Sequence, residues 1–168
     1  MGFTLIELIL VLVIIAAMVA VAAPSLSRMN RKQRIDGQAR LLISLHASAR
    51  SLAMRDGRPT RLVIDADEHE AWIEVQQGGG YQEQKRSDGR RVALSPRVEM
   101  TFERAGRESG RYTLACEPNG VTQPVAIELK DDTGREALVY CPSASEGLVA
   151  GEPGDTVTLT WGVDDASL

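Results

Sequence analysis

The chain has 168 residues, 4% of them aromatic, and a formal net charge of −4 at pH 7. This length leaves room for one membrane-scale helix and one globular domain with its own core. The acidic balance argues against a nucleic-acid-binding protein that depends on overall positive charge, and the scarcity of aromatic residues argues against base-stacking platforms. A local basic patch is still compatible with these totals.

The first segment is almost entirely apolar. Residues Leu8–Ala23 include no charged side chain, and counted from Phe3 the segment has about the length of a bilayer-spanning helix. One acid, Glu7, precedes the run, and a carboxylate in a membrane segment costs roughly 2.5–3.5 kcal/mol unless it has a partner. A cleaved secretory signal is an alternative, because the small residues at 20–23 resemble a cleavage site, although no basic residue precedes the run. We expect the apolar part of the helix, residues 3–24, to span a membrane.

The residues Gly2-Phe3-Thr4-Leu5-Ile6-Glu7, followed by this run, resemble the class III signal of type IV pilins and type II secretion pseudopilins. The resemblance implies that a prepilin peptidase cuts between Gly2 and Phe3, which makes residues 1–2 a leader remnant, and then methylates the new amino terminus of Phe3. It also implies that Glu7 of one subunit meets the Phe3 amine of a neighbour in a filament. That pairing would neutralise two charges that are each costly in hydrocarbon.

Two features depart from the family pattern. The leader is only Met1-Gly2, and the nearest basic residues, from Arg28 to Arg34, follow the apolar run. The positive-inside rule taken alone would place the polar domain in the cytoplasm. We interpret the short leader as the loss of a basic stretch, so the orientation rests on the resemblance.

Helical spacing continues beyond the apolar run to about Arg55. Pro24 stands near the end of that run, where the family also carries a proline, and it is expected to kink the helix. Farther on, apolar residues recur at steps of three and four and predict a stripe that packs on a sheet: Ile35, Ala39, Leu42, Leu45, Ala49 and Leu52. Asp56-Gly57 before Arg58-Pro59 predicts the end of the helix. The basic cluster 28–34 is interpreted as solvated or headgroup-facing, and contact with anionic lipid or DNA is the alternative.

Residues 56–168 are predicted to form an antiparallel β domain. The pattern predicts strands at 60–65, 70–75, 91–94, 98–102, 111–116, 125–129, 137–141 and 156–161. It predicts a glycine-rich loop over 76–89 and a hairpin turn over 130–134. The fold class is therefore α+β: a long N-terminal transmembrane helix, residues 3–55, packed on a C-terminal antiparallel β domain, as in pilins.

The two cysteines, Cys116 and Cys141, both lie in the polar part of the chain. If this part is exported, the first interpretation is one intramolecular disulfide, which would contribute roughly 3 kcal/mol by closing a loop of about 25 residues. Two buried free thiols are the alternative.

No pattern in the sequence points to catalysis. The histidines are His46 and His69, and no Cys or His pair has the spacing of zinc ligands. The acidic run 65–68 lacks the glycine and the terminal glutamate of a calcium loop, so it is interpreted as a solvated turn. The glycines 78–80 do not connect a strand to a helix, as a phosphate-binding loop requires. We therefore predict no enzyme, no metal and no cofactor.

The join between helix and domain, residues 48–63, is similar in style to the H-type minor pseudopilins and the related minor pilins. The resemblance implies a structural subunit of the periplasmic pseudopilus of type II secretion, which helps to export folded proteins. The subunit would enter the bacterial inner membrane as a single-pass protein with its β domain in the periplasm, and its partners would be the prepilin peptidase and other major and minor pseudopilins. Secreted cargo is a further candidate partner, and nucleic acid is not expected.

Two other functions stay open. One is a minor pilin of a type IV pilus, in assembly or DNA uptake, to which the basic clusters 28–34 and 85–91 would contribute. The other is a periplasmic binding protein with an uncleaved anchor. The chain length of the mature protein separates the second from both filament proteins.

Overall fold

The computed structural model describes residues 5–84, 91–155 and 157–159, and within the helix it describes only the backbone of residues 19–33. The chain divides into two compact units, Met1–Arg34 and Ile35–Leu168. Helix α1 spans Leu5–Asp56, which places its end next to the predicted one. Gly2 and Phe3 lie outside the described residues. Pro24 lies within α1, and its kink stays a prediction.

Among the described residues, ten strands follow the helix. They are β1 (Thr60–Asp65), β2 (Glu70–Gln77), β3 (Gly80–Glu83), β4 (Val92–Ala93), β5 (Val98–Glu103), β6 (Gly106–Glu108), β7 (Arg111–Cys116), β8 (Val125–Asp131), β9 (Glu136–Cys141) and β10 (Val149–Gly151). One sheet has the order β3-β2-β1-β7-β6, with β4 also paired to β2, and the other has the order β10-β9-β8-β5. Each pairing is antiparallel, so the α+β class and the antiparallel β domain are confirmed.

The apolar stripe predicted on the second half of α1 forms the helix's part of the hydrophobic core. All six of its residues are buried, with Leu42 and Ala49 fully inaccessible. The sheets contribute alternate strand residues to the same cluster, namely Leu62, Ile64, Leu114, Ile127, Leu129 and Val139. Burying each large aliphatic side chain is worth about 1.5–3 kcal/mol. The second half of α1 is therefore part of the β domain's core.

The glycine-rich segment after β2 is a hairpin, so the predicted loop is wrong over residues 76–84. Gln77 pairs with Gly80, and the two glycines between them have φ values of 57° and 89°. Two consecutive positive φ angles make the tight turn whose twist matches paired strands. Residues 85–90 of the predicted loop lie outside the described residues.

The end of the chain also differs from the prediction. Residues 157–159 are not a strand, and the rest of the predicted strand 156–161 lies outside the described residues. Leu159 is buried with Ala126 and Leu138, and its carbonyl accepts a hydrogen bond from the Arg104 guanidinium at 2.9 Å. The Arg104 side chain therefore binds the backbone of this segment. Three short strands, β3, β6 and β10, were not predicted.

Candidate functional site

The N-terminal part of α1 exposes apolar side chains all around the helix. Every residue from Leu5 to Met18 is exposed, and its large side chains range from 46% exposed at Ile14 to 77% at Leu5. A helix that is apolar on all sides needs an apolar environment or other helices around it. Across the described residues, no helical stretch combines the length and the hydropathy that a membrane span requires.

Glu7 is the charged residue of this exposed segment, and its side chain is exposed. Its predicted partner, the amine of Phe3, lies outside the described residues. The predicted cleavage after Gly2, the methylation of Phe3 and the pairing with Glu7 therefore stay predictions.

Polar contacts fix the position of the second half of α1 on the sheets. The Gln38 amide oxygen accepts from the Ser95 N–H at 3.0 Å, and the Thr60 hydroxyl donates to the Ala49 carbonyl at 2.8 Å. The Arg50 guanidinium donates to the carbonyls of Gly120 and Ser145, both at 2.8 Å. Hydrogen bonds of this kind specify one register, which an apolar stripe alone would not do.

His46 of helix α1 and Cys116 of strand β7 form a buried pair of titratable side chains where the helix packs on the sheet. His46 Nε2 lies 3.7 Å from Cys116 Sγ, and His46 Nδ1 lies 3.5 Å from the Leu148 N–H. Burial, with a smaller contribution from the Arg50 charge, lowers the pKa of His46 to about 4, and burial raises the pKa of Cys116 to about 12. Both groups are neutral at pH 7, so this thiol is a poor nucleophile and the pair serves packing.

The predicted disulfide is wrong, because Cys116 and Cys141 are both free and buried. The reason is that each sulfur has other partners. Cys116 faces His46, whereas Cys141 Sγ lies 3.2 Å from the Thr122 hydroxyl and 3.1 Å from the carbonyls of Ser143 and Glu146. Burial also raises the pKa of Cys141.

Hydrogen bonds to Asp65 hold the acidic turn after β1 in place. One oxygen of Asp65 accepts from the Glu68 N–H at 3.1 Å, and the other accepts from the Arg111 guanidinium at 2.8 Å. These bonds, the one from Arg111 first, hold the pKa of Asp65 below its usual value. Within the described part of the chain, no three His, Cys, Asp or Glu residues are placed to hold a metal ion.

The outer face of the first sheet carries an aromatic and arginine cluster that the sequence reasoning missed. The Arg91 guanidinium lies 3.8 Å from the centre of the Trp72 ring, and that of Arg111 lies 5.2 Å from it. Arg91 also pairs with Glu70 and Glu83, at 3.3 and 2.9 Å. Trp72 is therefore only 5% exposed although it faces away from the helix. The predicted strand 70–75 contains Trp72, but the sequence pattern does not identify the arginines that cover its ring.

Comparison with known proteins gives structural likeness alone. No protein-family model and no curated protein matches the chain. Two solved structures of the minor pseudopilin EpsH from the type II secretion system of Vibrio cholerae match it, each with a TM-score of 0.58 and 15% identity. The matches cover 73% and 74% of this chain and 99% and 98% of the EpsH chains. This chain has a pilin-like fold.

The likeness extends over nearly the whole of both EpsH chains. It supports the α+β class, which was predicted from one amphipathic helix and a strand-rich remainder, and the pilin-like fold that the resemblance of residues 2–7 implies. Because the identity is low, it does not carry EpsH's binding surfaces over to particular residues here.

Proposed function

We propose that this protein is a minor pseudopilin of a type II secretion machine, of the H type, and that it works by assembly and not by catalysis. The single observation that carries the proposal is the pilin-like fold shared with EpsH. The signal-like residues 2–7 and the exposed apolar helix that follows them support it.

The exposed apolar segment suggests where the protein resides. Leaving Leu5, Ile6 and Leu8 in water would forfeit about 25 cal/mol for each Å² of apolar surface. In the proposal, residues 3–24 lie in the inner membrane until assembly and then pack among the same segments of other pseudopilins. The β domain stands in the periplasm.

Glu7 gives the assembly its specificity in this proposal. After a prepilin peptidase cuts behind Gly2, the new amine of Phe3 and the Glu7 carboxylate of a neighbour neutralise each other. Removing one partner of a desolvated charge pair leaves the other uncompensated, which costs about 3–5 kcal/mol. The pairing therefore favours one register among many apolar contacts of similar energy.

The first experiment is mass spectrometry of the protein extracted from membranes of a host with a type II secretion machine. A chain that begins at a methylated Phe3 is expected. An intact Met1 leader, or a start near Ser25, would contradict the proposal, since the first indicates an uncleaved anchor and the second a removed signal peptide.

The second experiment compares Glu7→Ala with Glu68→Ala by cross-linking to the major pseudopilin and by cargo secretion. Glu68 is a matched control because it is an exposed acid in the β1–β2 turn. We expect Glu7→Ala to abolish both signals and Glu68→Ala to retain them. Cross-linking to a type IV pilus subunit, with no effect on cargo secretion, would identify a minor pilin instead.

A further inference from the structure

A cleft of about 410 Å³ lies on the β domain, apart from the contacts that position the helix. Its walls are the turn between β1 and β2, the start of β5 and the end of β8 with its following turn. Strand β5 has one strand partner, β8, in the part of the chain that the structure describes, and it borders the cleft. Apolar side chains of Pro96, Val98 and Met100 line part of it.

Asp131, on the wall of this cleft, has one satisfied and one unsatisfied oxygen. Its Oδ1 accepts from the Thr133 N–H, the Thr133 hydroxyl and the Arg135 N–H, at 2.9, 2.6 and 3.0 Å. Its Oδ2 is buried and has no partner among the described residues, and the whole residue is 5% exposed. The bonds to Oδ1, that from the Thr133 hydroxyl first, lower the pKa of Asp131 and keep the group ionised. A buried charged oxygen without a donor is costly, so it favours an incoming donor.

His69, in the turn between β1 and β2, supplies a second unsatisfied atom on another wall of the cleft. Its Nδ1 is buried without a partner among the described residues. The backbone of His69 has a φ of 53°, and its carbonyl accepts from the Leu94 N–H at 2.7 Å. A non-glycine residue with positive φ is strained, and such strain is concentrated at functional sites. A neutral imidazole can present Nδ1 as an acceptor.

We propose that this cleft binds an arginine side chain presented by a partner protein. A guanidinium carries five N–H donors in a flat fork, which suits two separate acceptors such as Asp131 Oδ2 and His69 Nδ1. Its aliphatic stem would lie on the apolar wall of the cleft. A lysine ammonium presents its donors from a single point and fits this arrangement less well.

The charges around the cleft are compatible with a cation. The carboxylates that line it outnumber the cations, the residues being Glu99, Asp131, Asp132, Arg97 and Lys130. The Lys130 ammonium is bound to Glu136 at 2.8 Å, which offsets its charge. Arginine binding at this cleft does not require filament assembly. A negative result in the binding test would therefore not contradict the proposed function.

The test is a titration of the full-length chain in detergent micelles, labelled with ¹⁵N at histidine. N-acetyl-arginine amide is the probe, and its neutral analogue N-acetyl-citrulline amide has nearly the same shape. The two histidines give separate signals, and His46, which is 1% exposed, is an internal control. We expect a saturable shift of the His69 signal with arginine, none with citrulline, a weaker one with N-acetyl-lysine amide, and a constant His46 signal. No saturable His69 shift, or equal shifts with arginine and citrulline or with arginine and lysine, would overturn the assignment.

Two variants test whether the Asp131 carboxylate is the charge that binds the arginine probe. Asp131→Asn keeps an oxygen for the Thr133 and Arg135 donors but replaces the unsatisfied acceptor, and it should weaken arginine binding by about tenfold. Glu117→Gln removes an exposed acid that does not line the cleft, and it should leave binding unchanged. Equal weakening by both would show general charge attraction and refute the site. The ligand comparison decides the matter without variants if Asp131→Asn does not fold.

Discussion

His46 Nε2 lies 3.7 Å from Cys116 Sγ, and this contact connects helix α1 to strand β7 inside the core. The Leu148 N–H points at His46 Nδ1 from 3.5 Å. With Nδ1 as the acceptor, the ring carries its proton on Nε2 and directs it at the sulfur. The helix is thus held to the sheet by a neutral histidine, which makes the contact sensitive to acid.

Stability should fall as the pH decreases through the range set by His46. Burial lowers the pKa of His46 from 6.5 to about 4, so the unfolded chain takes up a proton before the folded one does. The stabilising effect of this neutral histidine is complete above pH 6.5 and is lost progressively down to pH 4, by at most about 3 kcal/mol. Urea unfolding at several pH values measures it. His46→Gln should flatten the dependence between pH 6.5 and 4.5, and equal curves for His46→Gln and the wild type would refute the assignment.

Replacing Arg50 should destabilise the β domain more than its partly exposed position suggests. Its guanidinium binds the carbonyls of Gly120 and Ser145, and so holds two loops against the helix. Arg50→Ala should lower the free energy of unfolding by about 2–3 kcal/mol, and Arg50→Lys should restore little of it because an ammonium cannot span both carbonyls. The control is Arg40→Ala, at an exposed position of the same helix, with an expected change below about 0.5 kcal/mol. Equal losses for Arg40→Ala and Arg50→Ala would contradict the role of the two bonds.

Two glycine-to-alanine changes should have opposite signs. At Gly120, φ is +82° and an added Cβ would lie 3.0 Å from the Met54 sulfur, so Gly120→Ala should cost about 1–2 kcal/mol. At Gly37, inside the helix, an added Cβ meets nothing within 4 Å, so Gly37→Ala should stabilise by about 0.5–1 kcal/mol. Thermal unfolding of the two variants measures both signs. A stabilising Gly120→Ala would show that the turn adopts another backbone conformation.

Both cysteines should resist alkylation in the native protein and react once it is denatured, without any reductant. Cys116 and Cys141 are buried, and burial raises the pKa of each thiol, so little thiolate is present or accessible at pH 7. Mass spectrometry after iodoacetamide treatment counts the labels, with and without denaturant and reductant. Labelling that requires a reductant would show that the two cysteines are bonded after all.

The residues that the sequence predicted well are those whose local spacing matches their burial. The stripe from Ile35 to Leu52 has helical period, and buried and exposed residues alternate from Ile127 to Asp131 in β8, so one-dimensional pattern and three-dimensional burial coincide. The hairpin at Gly78-Gly79 was missed because glycine permits a loop and a tight turn equally. The cysteine prediction failed because spacing along the chain says nothing about which partner each sulfur meets.

The order of residues alone predicts an apolar segment, an amphipathic helix and an antiparallel β domain, because hydrophobic period reflects which side of each element avoids water. It also supplied the signal-like residues 2–7, which are a local pattern. The folded structure was needed to see that His46 contacts Cys116, that Arg50 holds two loops, and that Asp131 and His69 line one cleft. These contacts join residues far apart in the chain, and their geometry follows from how the sheets and helix pack, which no local period encodes.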